Sequence, residues 1–202
     1  NVILTTEHHV GKAPFADMTY TTMKDHPKLK VKGFQSASKH REKNSGGVAI
    51  HWRNTMTNVT IWEGQDLSGT NIEEIGLNRC WIKVNCEEGP VALCVVYMGT
   101  QTTRDENGEH NEKLFSILDK DCDLLKGKGI PAIIFGDFNG WIGDGQEGIE
   151  GNRKEVNLNG ERLMQWCQRR GKHIVQRESR VTRGQRELSL IHISEPTRPL
   201  YI

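Results

Sequence analysis

The sequence predicts an α+β fold in which helices cover layered β-sheets. Segments with the residue pattern of strands outnumber those with helical spacing, and they come in runs rather than in strict alternation with helices. That arrangement is typical of α+β domains. With 202 residues, of which 35% are hydrophobic, the chain has the size of one globular domain.

The predicted strands are short segments that are either continuously apolar or alternating. They comprise residues 2–6, 48–52, 59–62, 80–84, 91–97 and 132–135, with a last strand beginning at His173. In the fourth of these, Cys80, Ile82 and Val84 share one face. By contrast, residues 11–45 are polar and poorly periodic, and we expect a long loop with room for one helix.

Two segments have helical spacing. Apolar residues recur at three- and four-residue intervals from Glu109 to Lys126, and Asp121 is the polar exception on that face. Gly127 follows this segment and ends the predicted helix. We expect Asn159 to cap a second helix, which ends at Gly171.

Composition excludes some classes of protein and leaves others open. The chain carries 27 basic and 26 acidic residues and contains five cysteines. No apolar run is long enough to cross a membrane, so we expect no membrane partner. The cysteines form no CxxC pair, which favours reduced core cysteines in an intracellular protein. The chain starts with Asn1 rather than Met, so its targeting is not predicted.

The nearly balanced charge is unevenly distributed. Basic residues predominate in segments 12–43 and 153–186, which flank an acidic segment at 101–150. This pattern has two interpretations. In the first, the charged segments are solvated surface. In the second, the basic segments form a polyanion-binding rim around a carboxylate-rich centre, which would suit a metal-dependent phosphodiesterase.

The strongest chemical signal is the segment 133–139, Ile-Ile-Phe-Gly-Asp-Phe-Asn. Asp137 and Asn139 lie two residues apart after an apolar strand, so extended geometry predicts that both side chains face the same way. Glu7 follows another predicted strand. Carboxylates delivered to one sheet edge suit Mg²⁺, which binds a few carboxylates together with water and phosphate. The alternative is that Asp137 and Asn139 only form a turn.

Four segments in this order resemble the endonuclease/exonuclease/phosphatase superfamily. They are residues 136–139 (Gly-Asp-Phe-Asn), 2–7, 46–50 (Gly-Gly-Val-Ala-Ile) and 95–97. The resemblance covers about residues 1–187 and is closest to endonuclease domains of non-LTR retrotransposons. Thr6 replaces the usual Gln before the metal-binding Glu, and Met98-Gly99 replaces the common Ala-Pro after the active-site Tyr.

This resemblance implies a four-layer α/β/β/α sandwich and a nuclease that uses Mg²⁺, or Mn²⁺ in its place. Glu7 would hold the metal, Asp137 would orient or deprotonate the attacking water, Asn139 would hold the scissile phosphate, and Tyr97 would stabilise its developing charge. The alternative for Tyr97 is a core aromatic residue with a satisfied hydroxyl group. Trp141 and Thr182 are candidate substrate contacts.

The implied function is nicking of target DNA for reverse transcription. The full element would carry a downstream reverse transcriptase domain and act in the nucleus. Two other functions stay open: another phosphatase or phosphodiesterase of the superfamily, and a degenerate, host-retained domain that binds nucleic acid without catalysis.

The resemblance also implies a domain truncated at both ends. The superfamily has an earlier strand ending in a metal-binding Asn, and later Ile-Asp-Tyr-like and Ser-Asp-His segments that the sequence does not contain. We therefore expect the chain as written to be inactive.

The C-terminal segment 188–202 does not resemble the superfamily. Residues 188–199 resemble the in-frame translation of a transposase adapter used to build sequencing libraries, so we treat 188–202 as a tail outside the domain. We expect residues 190–202 not to form a regular strand with native partners, although the apolar, β-prone stretch 188–193 can lie along an open sheet edge.

Overall fold

A computed structural model describes residues 2–6, 23–39, 47–64, 78–99, 109–142, 156–174 and 189–191. These residues form nine strands and two α-helices, as well as a short 3-10 helix at Pro27–Leu29. In chain order the elements are β1 (Val2–Thr6), β2 (Met23–Lys24), β3 (Phe34–Lys39), β4 (Val48–Arg53), β5 (Val59–Trp62), β6 (Arg79–Cys86), β7 (Gly89–Tyr97), α1 (Glu109–Gly127), β8 (Ala132–Asp137), α2 (Leu158–Arg170) and β9 (Ser189–Ile191).

The strands form two sheets. The four-stranded sheet has the order β1-β4-β3-β2 and is antiparallel throughout. The five-stranded sheet has the order β5-β6-β7-β8-β9, and in it β7 and β8 are parallel. A parallel pair needs a crossover connection, which α1 supplies between these two strands.

The fold has three layers, which are the four-stranded sheet, the five-stranded sheet and the helices, with an apolar core between each pair of neighbours. The first core lies between the sheets and includes Ile50 and Trp52 from one sheet, and Cys80, Ile82 and Val95 from the other. The shared face predicted for Cys80, Ile82 and Val84 is therefore confirmed, because all three side chains belong to this core.

The second core lies between the five-stranded sheet and the helices. Trp81, Cys94 and Ile134 of that sheet pack against Leu118 of α1 and Trp166 of α2. The predicted α+β sandwich is confirmed, and the described residues account for three of its four layers. No helix in the described part of the chain is long and apolar enough to cross a membrane.

The prediction of a loop across residues 11–45 is wrong for part of that segment. Strand β3 occupies Phe34–Lys39 and pairs with β4 along its whole length. The residue pattern did not predict this strand because Ser36 and Ser38 are polar. Both residues are nevertheless buried, since β3 lies between two other strands of the sheet. A serine hydroxyl group can be buried when it has a hydrogen-bond partner, so a buried strand need not be entirely apolar.

The second helix also begins differently from the prediction. Asn157, and not Asn159, is the N-cap, and its side chain accepts a hydrogen bond from the Gly160 amide. Asn159 lies inside the helix and is fully buried. Gly171 ends the helix in the left-handed conformation (φ 59°), as predicted. The strand expected from His173 is not seen at residues 172–174, and Val175 lies outside the described residues.

The tail differs in part from the expectation. Residues 189–191 pair antiparallel with residues 134–136 of β8, although we expected no strand from residue 190 on. The physical reason is the free edge that β8 offers to an apolar, β-prone segment. Residues 192–202 lie outside the described part of the chain.

A buried ion pair joins α1 to the five-stranded sheet. The Asp121 carboxylate accepts hydrogen bonds from Arg79 Nε (2.5 Å) and Trp81 Nε1 (2.9 Å). Arg79 and Asp121 are both fully buried. The polar exception on the apolar face of α1 is thus explained by two partners on β6. Removing one partner would leave an uncompensated buried charge, which costs about 3–5 kcal/mol.

We predict that Gly136→Ala destabilises the protein. A Cβ atom at Gly136 would lie 2.0 Å from the Val96 carbonyl oxygen, and the residue has a φ of 156°. Crowding of this kind costs about 1–3 kcal/mol or more, measurable as a lower free energy of unfolding in urea. Gly127→Ala is the matched control, because a Cβ atom there meets nothing within 4 Å. Equal effects of the two substitutions would contradict the close approach of β8 to β7.

Candidate active site

Tyr97 and Asp137 lie side by side where β7 and β8 end. They are register partners in the parallel pair, and the Met98 amide donates a hydrogen bond to the Asp137 carbonyl oxygen (2.8 Å), which extends the pairing. Register partners on neighbouring strands point to the same face of a sheet. Tyr97 packs against the core between the sheets, so Asp137 also points toward the four-stranded sheet.

Strand β1 ends at the same edge of the sandwich. Thr6 is paired with Val48, which is paired with Lys39 at the end of β3. The Lys39 ammonium group forms an ion pair with Glu63 (3.5 Å). Glu63 follows Trp62, which is the register partner of Trp81 near the start of β6, so the end of β3 lies beside the start of β6. Since Arg79 is the register partner of Val96, the residues Thr6 and Tyr97 lie at one edge. Glu7, the next residue after Thr6, lies outside the described residues, and its convergence with Asp137 stays a prediction.

A turn, rather than an extended strand, brings Asn139 next to Asp137. Strand β8 ends at Asp137, and Asn139 has a φ of 45°. The prediction that extended geometry aligns the two side chains is therefore wrong. Instead, the Asn139 amide donates to Asp137 Oδ1 (2.9 Å), and Asn139 Nδ2 donates to the Met98 carbonyl oxygen (2.6 Å). The turn-forming interpretation thus describes the backbone, while both side chains stay at the sheet edge.

Three asparagines fix the loops that follow β7 and β8. We call Asn111, Asn157 and Asn159 the asparagine clamp. Asn111 of α1 pairs with both backbone groups of Gly99 (3.1 and 2.9 Å). Asn159 Nδ2 donates to the carbonyl oxygens of Gly99 (3.0 Å) and Phe138 (3.3 Å), and its Oδ1 accepts from Asn111 Nδ2 (2.9 Å).

Asn157 completes the clamp at the start of α2. Its Nδ2 donates to the Asn139 carbonyl oxygen (2.8 Å), and its Oδ1 accepts from the amides of Trp141 and Gly160 (2.8 Å each). The side-chain amide groups of the asparagine clamp therefore connect the helices to the turn that carries Asp137 and Asn139. Sequence reasoning missed this role. The available signal was the segment Asn157-Leu-Asn159-Gly160 just before an apolar periodic run.

The remaining predicted site residues have different outcomes. Tyr97 is half-buried and packs against the core between the sheets, so its core-aromatic alternative stays open. Trp141 is 42% exposed in the loop after β8. Thr182 lies outside the described residues.

Two basic residues of α2 form ion pairs with α1. Arg162 pairs with Glu112, and Arg170 pairs with Asp119 and Asp123, because basic α2 packs against acidic α1. A hydrogen bond from Arg170 lowers the pKa of Asp123. In the other basic segment, Lys39 forms an ion pair with Glu63 (3.5 Å). For Arg162 and Arg170 the structure favours the surface interpretation of the charge pattern, with both charges ion-paired.

The donor chemistry at the edge suits a hard cation. Within the described residues there is no group of three His, Cys, Asp or Glu side chains that could hold a metal ion. Mg²⁺ does not need such a group, since it binds one or two carboxylates with water and substrate phosphate. Asp137 supplies one carboxylate at the edge where β1 also ends.

Burial makes four of the five thiols unsuited to soft-metal or nucleophilic chemistry. All five cysteines are free, and four are buried. Burial raises the pKa of Cys80 to about 12 and that of Cys122 to about 11, so both thiols stay protonated at neutral pH. The prediction of core cysteines is confirmed for four of the five and is wrong for Cys86, which is exposed.

Comparison with solved structures reveals two proteins of similar fold. The endonuclease domain of TRAS1, a telomere-specific non-LTR retrotransposon, matches with a TM-score of 0.51 at 16% identity, over 82% of this chain and 68% of that domain. The catalytic domain of Xenopus laevis APE2 matches with a TM-score of 0.54 at 17% identity, over 83% of this chain and 58% of that domain. The chain has the endonuclease/exonuclease/phosphatase fold. The predicted resemblance in fold is confirmed.

The similar structures establish the fold of the chain but not its activity. The chain spans 58% of the APE2 catalytic domain and 68% of the TRAS1 endonuclease domain. No protein-family model matches the sequence, and a search of curated proteins gave no match. Because one fold hosts several functions, a function for this example of the endonuclease/exonuclease/phosphatase fold has to be argued from its residues.

We predict that Asn159→Asp destabilises the protein by about 1–3 kcal/mol or more. The carboxylate cannot donate to Gly99 and Phe138, and it would be a buried charge. Burial raises the pKa of such a carboxyl group, so the loss relative to the parent should shrink as the pH falls and the group is protonated. Urea unfolding at several pH values measures both effects.

The control for this substitution is Asn58→Asp. Asn58 also donates one side-chain hydrogen bond, to the Asn85 carbonyl oxygen, but it is exposed. We expect a change within about 0.5 kcal/mol at every pH. If Asn159→Asp were equally mild, the buried amide would not hold the two loops together.

Proposed function

We propose that the chain is part of a metal-dependent phosphodiesterase, and specifically of a retrotransposon-type endonuclease that nicks DNA. The observation that carries this proposal is the pairing of Tyr97 with Asp137 at the edge where β1 also ends. Asn139 is turned against the same carboxylate. Phosphodiester hydrolysis needs a group that orients a water molecule and hydrogen-bond donors for the phosphate. Asp137 is the first kind of group, and Asn139 and Tyr97 are the second.

Asp137 is suited to orient or deprotonate the attacking water. Its Oδ1 is fixed by the Asn139 amide (2.9 Å), and its backbone is fixed by the Met98 amide (2.8 Å). One backbone amide therefore holds the carboxylate, and another holds the main chain that carries it, before any substrate binds. Such preorganisation avoids the cost of moving the group during the reaction.

Asn139 and Tyr97 supply donors for the phosphate. The Asn139 amide nitrogen carries two hydrogens, and its bond to the Met98 carbonyl oxygen (2.6 Å) uses one of them and orients the group. The second can reach a phosphate oxygen. The Tyr97 hydroxyl group can donate beside it, since Tyr97 and Asp137 are register partners.

Glu7 would hold the metal, which we propose to be Mg²⁺ or Mn²⁺. When bound, the ion would neutralise negative charge on the scissile phosphate. The support is the chemistry of the donor set: hard carboxylate oxygens, a strand β1 that ends at the same edge as Asp137, and no described thiol or imidazole cluster.

The proposed substrate is DNA, and the proposed partner in the full element is a downstream reverse transcriptase domain. The order of the four sequence segments supports this choice, as does a fold shared with a retrotransposon endonuclease domain. One observation favours a second candidate, a phosphatase or a phosphodiesterase for small substrates. Arg162 and Arg170 pair with acidic residues of α1, which removes part of the charge argument for a polyanion.

We further propose that the chain as written does not nick DNA. The Ser-Asp-His segment that the resemblance requires is not in the sequence. Residues of a catalytic unit act together, so the loss of one member removes most of their joint effect.

The direct test compares nicking of supercoiled plasmid with Mg²⁺ by two proteins: this chain, and a version extended with the missing N-terminal strand and the Ile-Asp-Tyr-like and Ser-Asp-His segments. We expect nicked circles from the extended protein only. Equal rates for the two would show that the proposed active site is misplaced.

In the extended protein, Asp137→Asn should lower the nicking rate by about 10²–10⁴-fold, as removal of a general base does. The matched control is Asp123→Asn, because Asp123 is a carboxylate on α1 that pairs with Arg170. Its substitution should change stability slightly and leave nicking near the parent rate. Unchanged nicking by the Asp137 variant would refute the role proposed for that carboxylate.

A further inference from the structure

Trp141 differs from the other tryptophans in its exposure. All five tryptophans lie in the described residues, and three of them (Trp52, Trp81 and Trp166) are at most 2% exposed. Trp62 packs against the core beneath the helices. Trp141 is 42% exposed. A single exposed apolar side chain is ordinary, so exposure alone does not suggest a role.

What distinguishes Trp141 is how firmly its backbone is held. Asn157 Oδ1 accepts from the Trp141 amide (2.8 Å), and the Asn157 amide donates to the Trp141 carbonyl oxygen (3.1 Å). Gly160 packs so closely that a Cβ atom there would lie 1.9 Å from the same carbonyl oxygen. The next residue, Ile142, is buried. Both polar backbone groups are thus bonded, while the indole ring stays accessible to solvent.

The same asparagine also fixes the candidate active site. Asn157 Nδ2 donates to the Asn139 carbonyl oxygen (2.8 Å), so one side chain ties Trp141 to the turn that carries Asp137 and Asn139. A rigid aromatic surface loses little conformational entropy on binding. An exposed indole ring, on a backbone that is fixed two residues after Asn139, suits a ligand that has an aromatic ring next to its phosphate.

We propose that Trp141 is a stacking platform for an unpaired nucleobase next to the phosphate that Asp137 and Asn139 contact. The proposal rests on the proposed function for the position of that phosphate, and it identifies the substrate class as nucleic acid with an unstacked base. Every nucleobase presents a flat aromatic face, so stacking tolerates different sequences. Trp141 would then discriminate nucleic acid from small phosphate esters without reading a base sequence.

The test measures binding of the full chain to two fluorescein-labelled strands by fluorescence anisotropy. One is an oligothymidine of about eight nucleotides, within the range of single-stranded site sizes. The other is an abasic strand with the same number of phosphates. We expect the chain to bind the thymidine strand about 5- to 150-fold more tightly, the contribution of one stacked base.

The variants assign this preference to one side chain. Trp141→Ala should bind both strands equally, with affinity for the abasic strand unchanged, and Trp141→Phe should keep most of the preference. Circular dichroism of each variant confirms that the fold is kept.

Two results would overturn the proposal: no preference in the parent chain, or a preference that survives in Trp141→Ala. Neither result depends on catalysis, because the chain needs only to bind. Base preference without nicking by the extended protein would refute the proposed nuclease and leave the platform. Nicking without base preference would do the reverse.

Discussion

The parallel pairing of β7 with β8 is the constraint on which the rest of the structure depends. It places Tyr97 beside Asp137, and it is continued by the bond from the Met98 amide to the Asp137 carbonyl oxygen (2.8 Å). The approach is close enough that only a residue without a side chain fits at Gly136. Helix α1 makes the crossover that a parallel pair requires, and its packing on this sheet builds the core beneath the helices.

Buried polar contacts connect the helices to the five-stranded sheet and to the residues that follow β7 and β8. The Arg79–Asp121 pair ties α1 to β6 inside the protein, and the asparagine clamp ties both helices to the loops that end at the site. Buried polar groups are favourable only when their partners are in place. The described starts of these loops, residues 98–99 and 138–142, are therefore fixed, and Asp137 and Asn139 gain their positions from residues that need not touch a substrate.

Residue patterns were sufficient for the strands and helices that bury apolar side chains at regular spacing. They failed for β3, whose buried Ser36 and Ser38 look like loop residues. They identified Asp137 and Asn139 but not their geometry, because an isolated strand pattern cannot show that Asn139 adopts a φ of 45°. The asparagine clamp depends on contacts between residues up to 60 positions apart, which local periodicity does not contain.

We propose that β1, β7 and β8 end at one edge that binds a metal ion. Paramagnetic line broadening by Mn²⁺ in NMR spectra of the chain tests it most directly, without requiring catalysis. We predict broadening of the amide signals of Thr6, Met98 and Asp137 at substoichiometric Mn²⁺. The signals of Cys86 and Gly89, at the hairpin between β6 and β7, should stay sharp. Broadening at that hairpin, with the strand-end signals unchanged, would contradict the claim.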